Sequence, residues 1–324
     1  MNNQISIFYR DDMAPADVPD NYSKSPTKPR RFIEFLRGTP LWPHIEIHND
    51  FEPLTRDQVL LAHEPHYVDA FLTGEPTYLA ESNGLRWSPA FRDSVLLTNS
   101  CLLAAVLEAI DHPEQLTMAP VSGFHHARPS GGGGFCTFSG QVIAGLQLYR
   151  QWGLRGAWVD LDGHFGNSIE DSRAFAPDLD QAIKWNINPQ GMHLDYLCDL
   201  QRKMYDLRLH CLAGEIDYVC VAHGADSHEW DQLGHQCTTD EWLRAADEVY
   251  RTLADIRQHQ RHSQRPLTAV TLALFGGYRD DDPASVLGLH AMDTARALTL
   301  LSGASTLADY RAEVLPPARI NVGA

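Results

Sequence analysis

Four short segments of the chain carry residue types that can do chemistry together. "VSGFHHARPSGGGGFC" places His125 and His126 ahead of four glycines, and "VDLDGHFGN" holds Asp160, Asp162, His164 and Asn167. "AHGADSHEWDQLG" contains Asp226, and "LFGGY" ends in Gly276, Gly277 and Tyr278. Asp162 and His164 are two apart, and on an extended segment such side chains share a face. A carboxylate and an imidazole converging in this way can bind a divalent metal, and Asp226 can add a third ligand. Three N/O ligands with an open position describe a catalytic zinc site, whereas structural zinc sites usually close with cysteines. A lone D-x-H also fits a strand-end turn with a solvated aspartate. The surrounding residues favour the metal. A water activated by zinc needs a base, and His125 and His126 are two candidates. A histidine base needs a partner on its second nitrogen, which Asp160 or Asn167 can provide. An oxyanion formed at a carbonyl needs a donor besides the metal, and Tyr278 can reach in to give one.

Two other readings of these segments are weaker. A phosphate loop requires G-x-x-x-x-G-K-[ST] or G-x-G-x-x-G after a strand, and "SGGGGFC" is neither. A two-metal hydrolase needs further carboxylates two residues beyond His164 and Asp226, where Gly166 and His228 stand.

These segments must be positioned by strands. Runs apolar on both faces predict buried strands at Gln4–Tyr9, Gln115–Val121, Gly156–Asp162, Tyr218–His223 and Leu267–Gly277. Helical patterns lie between them at Ser88–Asp111, Gly140–Gly153, Leu194–Ala213 and Thr239–His259, the last with a capping box from Thr238 to Glu241. Strand alternating with helix predicts an α/β fold with a mostly parallel sheet and right-handed crossovers. No repeat and no linker divides the chain, so residues 1–324 are expected to form one domain. The chemical segments follow four of the strands, where open α/β sheets gather function.

The bulk composition narrows the partners. The formal net charge is −16 and the pI about 5.3. Such a surface repels phosphate backbones, which argues against direct nucleic-acid binding. The six cysteines form no C-x-x-C pair and are expected to be reduced thiols. No signal-peptide pattern and no membrane-length apolar run is apparent, so a cytoplasmic location is expected.

The ordered segments resemble the zinc-dependent histone deacetylases and their bacterial relatives, including acetylpolyamine amidohydrolases and acetoin-utilization proteins. "GFHHA", "GFC", "VDLDGHFGN", "HGADSHEWDQLG" and "LFGGY" are similar to that family's motifs, as is the early "AHEPHYVDAFL". The resemblance implies a three-layer αβα fold around an eight-stranded, mostly parallel sheet. It implies one zinc per chain on Asp162, His164 and Asp226, and allows a structural monovalent cation such as K+. His126 would be the general base, His125 its charge-stabilising neighbour, and Asp160 and Asn167 their partners. Tyr278 would polarise the scissile carbonyl, Phe135 would line the substrate tunnel, and Asp231 would lie behind the site. Gly276 and Gly277 would let the backbone approach the acyl end of the substrate. The glycine run, Arg128 to Gly133, would be a flexible connector.

Departures concern the substrate more than the reaction. Phe165 replaces the second histidine of a His-His pair, and Ser139-Gly140 replaces an Asn pair. Asn167 stands where many members carry Asp, which predicts a lower pKa for His126. Phe175–Leu197 lacks the family's Pro-Gly-rich loop and second tunnel phenylalanine, and Trp87 stands near the place of a rim aspartate. The expected reaction is removal of acyl groups from an amine such as acyl-lysine in proteins. Acetylpolyamines are the alternative substrate, and if Asp280, Asp281 and Asp282 rim the mouth they favour a positively charged substrate, an acetylated polyamine or a basic peptide alike. A silent binding module on the same fold and a homo-oligomer both stay open.

Overall fold

The computed structural model describes residues 3–14, 23–121, 123–279 and 281–312. Seven strands form one parallel sheet in the order β2-β1-β3-β7-β6-β4-β5. They are β1 (Ile5–Phe8), β2 (Ile45–His48), β3 (Leu116–Ala119), β4 (Gly156–Asp160), β5 (Ile183–Ile187), β6 (Tyr218–Ala222) and β7 (Ala269–Ala273). The five predicted strands are all present. Every residue of β1, β3, β4, β6 and β7 is buried, as expected of strands covered on both faces.

The sheet departs from the eight strands that the resemblance implied. Seven are found among the described residues, and two of them, β2 and β5, had not been predicted. Both are edge strands with part of their surface in water, and "IEIH" and "IKWNI" mix polar with apolar residues accordingly. The count of eight came from the resemblance alone, and no apolar run among the described residues supplies another strand.

The helices are α1 (Lys28–Leu36), α2 (Arg56–Val59), α3 (Pro65–Thr73), α4 (Thr77–Ala80), α5 (Pro89–Asp111), α6 (Gly140–Trp152), α7 (Ser168–Ser172), α8 (Leu179–Ala182), α9 (His193–Ala213), α10 (Thr239–His262) and α11 (Pro283–Ala297). The predicted capping box is present. Thr238 accepts from the Glu241 N–H, and the Glu241 carboxylate accepts from the Thr238 N–H. α5 is long and apolar enough by length and composition to cross a membrane, a feature the sequence reading did not register. In the fold it packs against β1, β3 and β7.

Parallel pairing aligns β3, β7, β6 and β4 as four adjacent central strands. Their carboxyl ends therefore open side by side, and the loops that leave them carry His125 and His126, Tyr278, Asp226, and Asp162 with His164.

Candidate active site

The two histidines lie in the loop between β3 and α6. His125 is buried, and its Nδ1 lies 2.8 Å from Asp160 Oδ2. Its Nε2 lies 3.6 Å from Asp162 Oδ1. His126 Nδ1 lies 2.8 Å from Asn167 Oδ1. The pairing His125–Asp160 and His126–Asn167 is the one the resemblance implied. Burial disfavours a charge on His125, but the carboxylates of Asp160 and Asp162 outweigh it and raise its pKa to about 9. His126 is pushed down to about 4, first by burial and then by the charge of His125, whose ring centroid is 4.1 Å away. The lowered value was anticipated from Asn167, but burial and His125 cause it, and the hydrogen bond to Asn167 acts the other way. One histidine thus holds a proton at neutral pH and its neighbour is free to take one.

Asp162, His164 and Asp226 converge as expected, each offering a ligand atom, with all three atoms within 4.8 Å of one another. The reason differs from the sequence argument. β4 ends at Asp160, so Asp162 and His164 sit in the loop beyond it rather than on an extended face. Backbone N–H groups set the carboxylates instead. Gly276 donates to Asp162 Oδ2 at 2.8 Å, His164 to Asp162 Oδ1 at 3.0 Å, and Gly163 to Asp226 Oδ1 at 3.0 Å. His164 Nδ1 faces both carboxylates, at 3.1 Å from Asp162 and 2.9 Å from Asp226. Those two hydrogen bonds raise His164 to about 10. Burial and the charge of Asp162 push Asp226 up to about 7. Two buried carboxylates and one imidazole nitrogen aimed at a common point form a hard, anionic donor set that fits Zn2+.

Gly276 lies directly against the carboxylates. A Cβ there would fall 2.4 Å from Asp226 Cγ and 2.6 Å from Asp162 Oδ2. The missing side chain makes room for the carboxylates. Gly277, at φ +137°, packs against Val286 of α11, where a Cβ would fall 2.6 Å from that side chain.

Tyr278 stands beside the cluster, its ring centroid 6.1 Å from His164 and 5.7 Å from Phe135. Asp231 had no physical rationale in the sequence. Here its Oδ2 accepts from the Tyr278 N–H at 2.7 Å and its Oδ1 from the Leu233 N–H at 2.9 Å, so it fixes the tyrosine backbone.

The glycine run is not a flexible connector. Arg128 pairs with Gly131 and Gly133 with Cys136, and the Phe135 N–H donates to Asn83 O at 2.9 Å. Gly134 adopts φ +48°, and a Cβ on it would lie 2.4 Å from His126 Cδ2. Phe135 itself is held at φ 63°, a left-handed conformation uncommon for phenylalanine. The early His-x-x-x-Tyr segment braces the same loop. His63 Nδ1 donates to Arg128 O at 2.8 Å, the Ser139 N–H donates to His63 Nε2 at 2.9 Å, and the Tyr67 hydroxyl donates to Thr137 O at 2.6 Å.

Around the mouth, Asp281 is engaged by Arg279, which donates from Nε at 2.8 Å and Nη2 at 3.0 Å. Asp282 caps α11 through the Ser285 N–H at 3.3 Å. Neither forms the free acidic rim considered above, and Asp280 lies outside the described residues. Trp87 donates from its indole nitrogen to Phe71 O at 2.6 Å and covers Gly74, a packing role. Buried Lys28 was missed because nothing in "TKPRRF" marks it. Its Nζ donates to Phe275 O at 2.6 Å, and burial lowers it to about 8 against the pull of Asp226 and Asp162.

The histone deacetylase domain family model matches residues 22–179. A relative from Oryza sativa subsp. japonica, "Histone deacetylase 10, chloroplastic", is 24% identical over 252 residues, which is 64% of this chain and 55% of that protein. "Histone deacetylase 14, chloroplastic" from Arabidopsis thaliana is 31% identical over 117 residues, covering 34% of this chain and 26% of that protein. The chain thus spans about half, or less, of the length of these curated relatives. The crystal structure of the HDA15 HD domain superposes with a TM-score of 0.68 at 15% identity, over 93% of this chain and 90% of that one, and so shares the fold. Fold and site define a class, the α/β proteins that gather a carboxylate–imidazole cluster beyond the carboxyl ends of a parallel sheet. Within that class, the domain model over residues 22–179, just under half of the chain, and the curated relatives make the chain similar to histone deacetylases.

Proposed function

We propose that the protein is a zinc-dependent amide hydrolase that removes acetyl or other acyl groups from an acylated amine, with acyl-lysine in proteins as the substrate class. The observation that carries this is the convergence of Asp162, His164 and Asp226 beside two differently tuned histidines and Tyr278. Zinc held by those three ligands would supply a Lewis acid and lower the pKa of a water at neutral pH.

The protein groups divide the remaining work. His126, neutral and tied through Nδ1, keeps Nε2 to take the proton of the attacking water and return it to the leaving amine. His125, protonated against Asp160, adds a fixed positive charge beside the developing oxyanion. The Tyr278 hydroxyl donates to that oxyanion, with its backbone anchored by Asp231. Phe135 supplies an apolar wall for the acyl-amine stem. Asp281 is paired with Arg279 and Asp282 caps α11, so neither argues specifically for a polyamine, and acyl-lysine is the reading we put first. All six cysteines are unpaired, which supports a reducing compartment such as the cytoplasm.

A turnover panel tests the reading. Zinc-loaded protein should hydrolyse acetyl-lysine peptides in preference to acetylputrescine and acetylspermidine, and a chelator should abolish the activity. Preference for the acetylpolyamines would transfer the protein to the small-molecule deacylases. Absence of turnover on every acyl-amine with zinc bound would leave a binding module.

A further inference from the structure

The proposed base works only if its proton sits on Nδ1, because a proton on Nε2 would block the atom that must accept one. The partner of that nitrogen is an asparagine, which does not decide the matter alone. An amide turned by 180° would offer a donor to His126 Nδ1 and stabilise the opposite tautomer. Asp171 removes the ambiguity. Asn167 Nδ2 donates to Asp171 Oδ2 at 2.6 Å, while Asn167 Oδ1 faces His126 Nδ1 at 2.8 Å. Turning the amide would set its oxygen against an ionised carboxylate, which can only accept. Arg128, two residues after the base, places its Nε 3.4 Å from the same Asp171 oxygen and adds a second donor on that side of the carboxylate.

The backbone prepares this arrangement. Asn167 is the N-cap of α7, but its side chain makes no capping bond. Asparagine at this position usually turns its oxygen onto the first helical N–H groups. Here the side chain is diverted to His126 and Asp171, while the Asn167 carbonyl accepts from the Asp171 N–H at 2.8 Å and holds the two residues one turn apart.

We propose that Asp171 is a positioning residue that fixes the amide of Asn167 and, through it, the proton of His126 on Nδ1. Its effect on turnover rests on the deacylase reading, whereas its effect on the tautomer does not. The test uses zinc-loaded protein labelled with 15N-histidine. Long-range 1H–15N spectra distinguish Nδ1–H from Nε2–H, and loss of a signal in His126→Gln assigns the residue. Asp171→Asn, at a partly exposed helix position, should turn a single Nδ1–H tautomer into a mixture. On acetyl-lysine peptide it should lower kcat about tenfold with KM within about twofold. Adding Asn167→Asp to that variant should restore the single tautomer, because a carboxylate has no wrong orientation. A His126 spectrum unchanged by Asp171→Asn would overturn the proposal whether or not the protein hydrolyses amides. A mixed tautomer with undiminished kcat would uphold the role of Asp171 and count against His126 as the base. A tautomer shift in a protein that hydrolyses no acylated amine would uphold the role of Asp171 and count against the deacylase reading.

Discussion

At the residue scale, Tyr278 and two glycines separate the functions gathered in the site. Tyr278→Phe removes a hydroxyl and leaves the three ligands in place. Turnover should fall by about 10²–10³, the usual loss when one oxyanion donor is removed, with zinc content unchanged. Intact activity would remove Tyr278 from the mechanism. Gly276→Ala and Gly134→Ala should fail in different ways. The first drives a methyl to 2.4 Å from Asp226 Cγ, and zinc affinity should fall at least about tenfold in a competition titration. The second drives a methyl to 2.4 Å from His126 Cδ2 at φ +48°. It should keep zinc and lose roughly 100-fold in turnover, because the base is displaced. If both variants lost zinc alike, the division between cluster and base would be wrong.

At the scale of elements, the interior strands were legible because burial on both faces leaves an uninterrupted apolar run, and long helices such as α9 and α10 because their apolar residues recur on one face. β2 and β5 were not legible, since a half-exposed edge strand alternates over only four or five residues. α11 was missed because it is buried almost all round and shows no amphipathic stripe. The ligands and both histidines were legible by residue type and order, while the pairing of the histidines with Asp160 and Asn167 came from the resemblance. Asp171, Lys28 and the contact of Gly134 with His126 were not legible, and Asp231 was placed by the resemblance alone. Each depends on a tertiary or turn geometry that leaves no mark in residue type.

His63, just ahead of α3, braces the loop between β3 and α6. His63 uses both nitrogens while neutral, and a second ring proton would confront the Ser139 N–H. Burial accordingly lowers its pKa to about 4, below the roughly 6.5 of an unfolded histidine. Between these values the unfolded chain binds more protons, so the contribution is complete above about pH 6.5 and is lost as pH falls toward 4. From pH 7 to pH 5 this amounts to about 2 kcal/mol for His63. Urea denaturation of wild type and His63→Gln at both pH values checks it. The wild type should lose more stability by roughly that difference, and equal losses would show that His63 is not held neutral.

For the molecule as a whole, four adjacent parallel strands deliver every proposed functional group to one end of the sheet, and the cluster ties the loops after β4, β6 and β7 together. A divalent cation bound there should stabilise the fold by mass action, so a chelator should lower the melting temperature. The most direct measurement is a zinc titration of chelator-treated protein with acetyl-lysine peptide as substrate. Hydrolysis should rise with added zinc and saturate near one equivalent per chain, while His126→Ala binds the same zinc without turnover. Hydrolysis that needs no metal, saturation at two equivalents, or zinc binding without hydrolysis by the wild type would contradict the account.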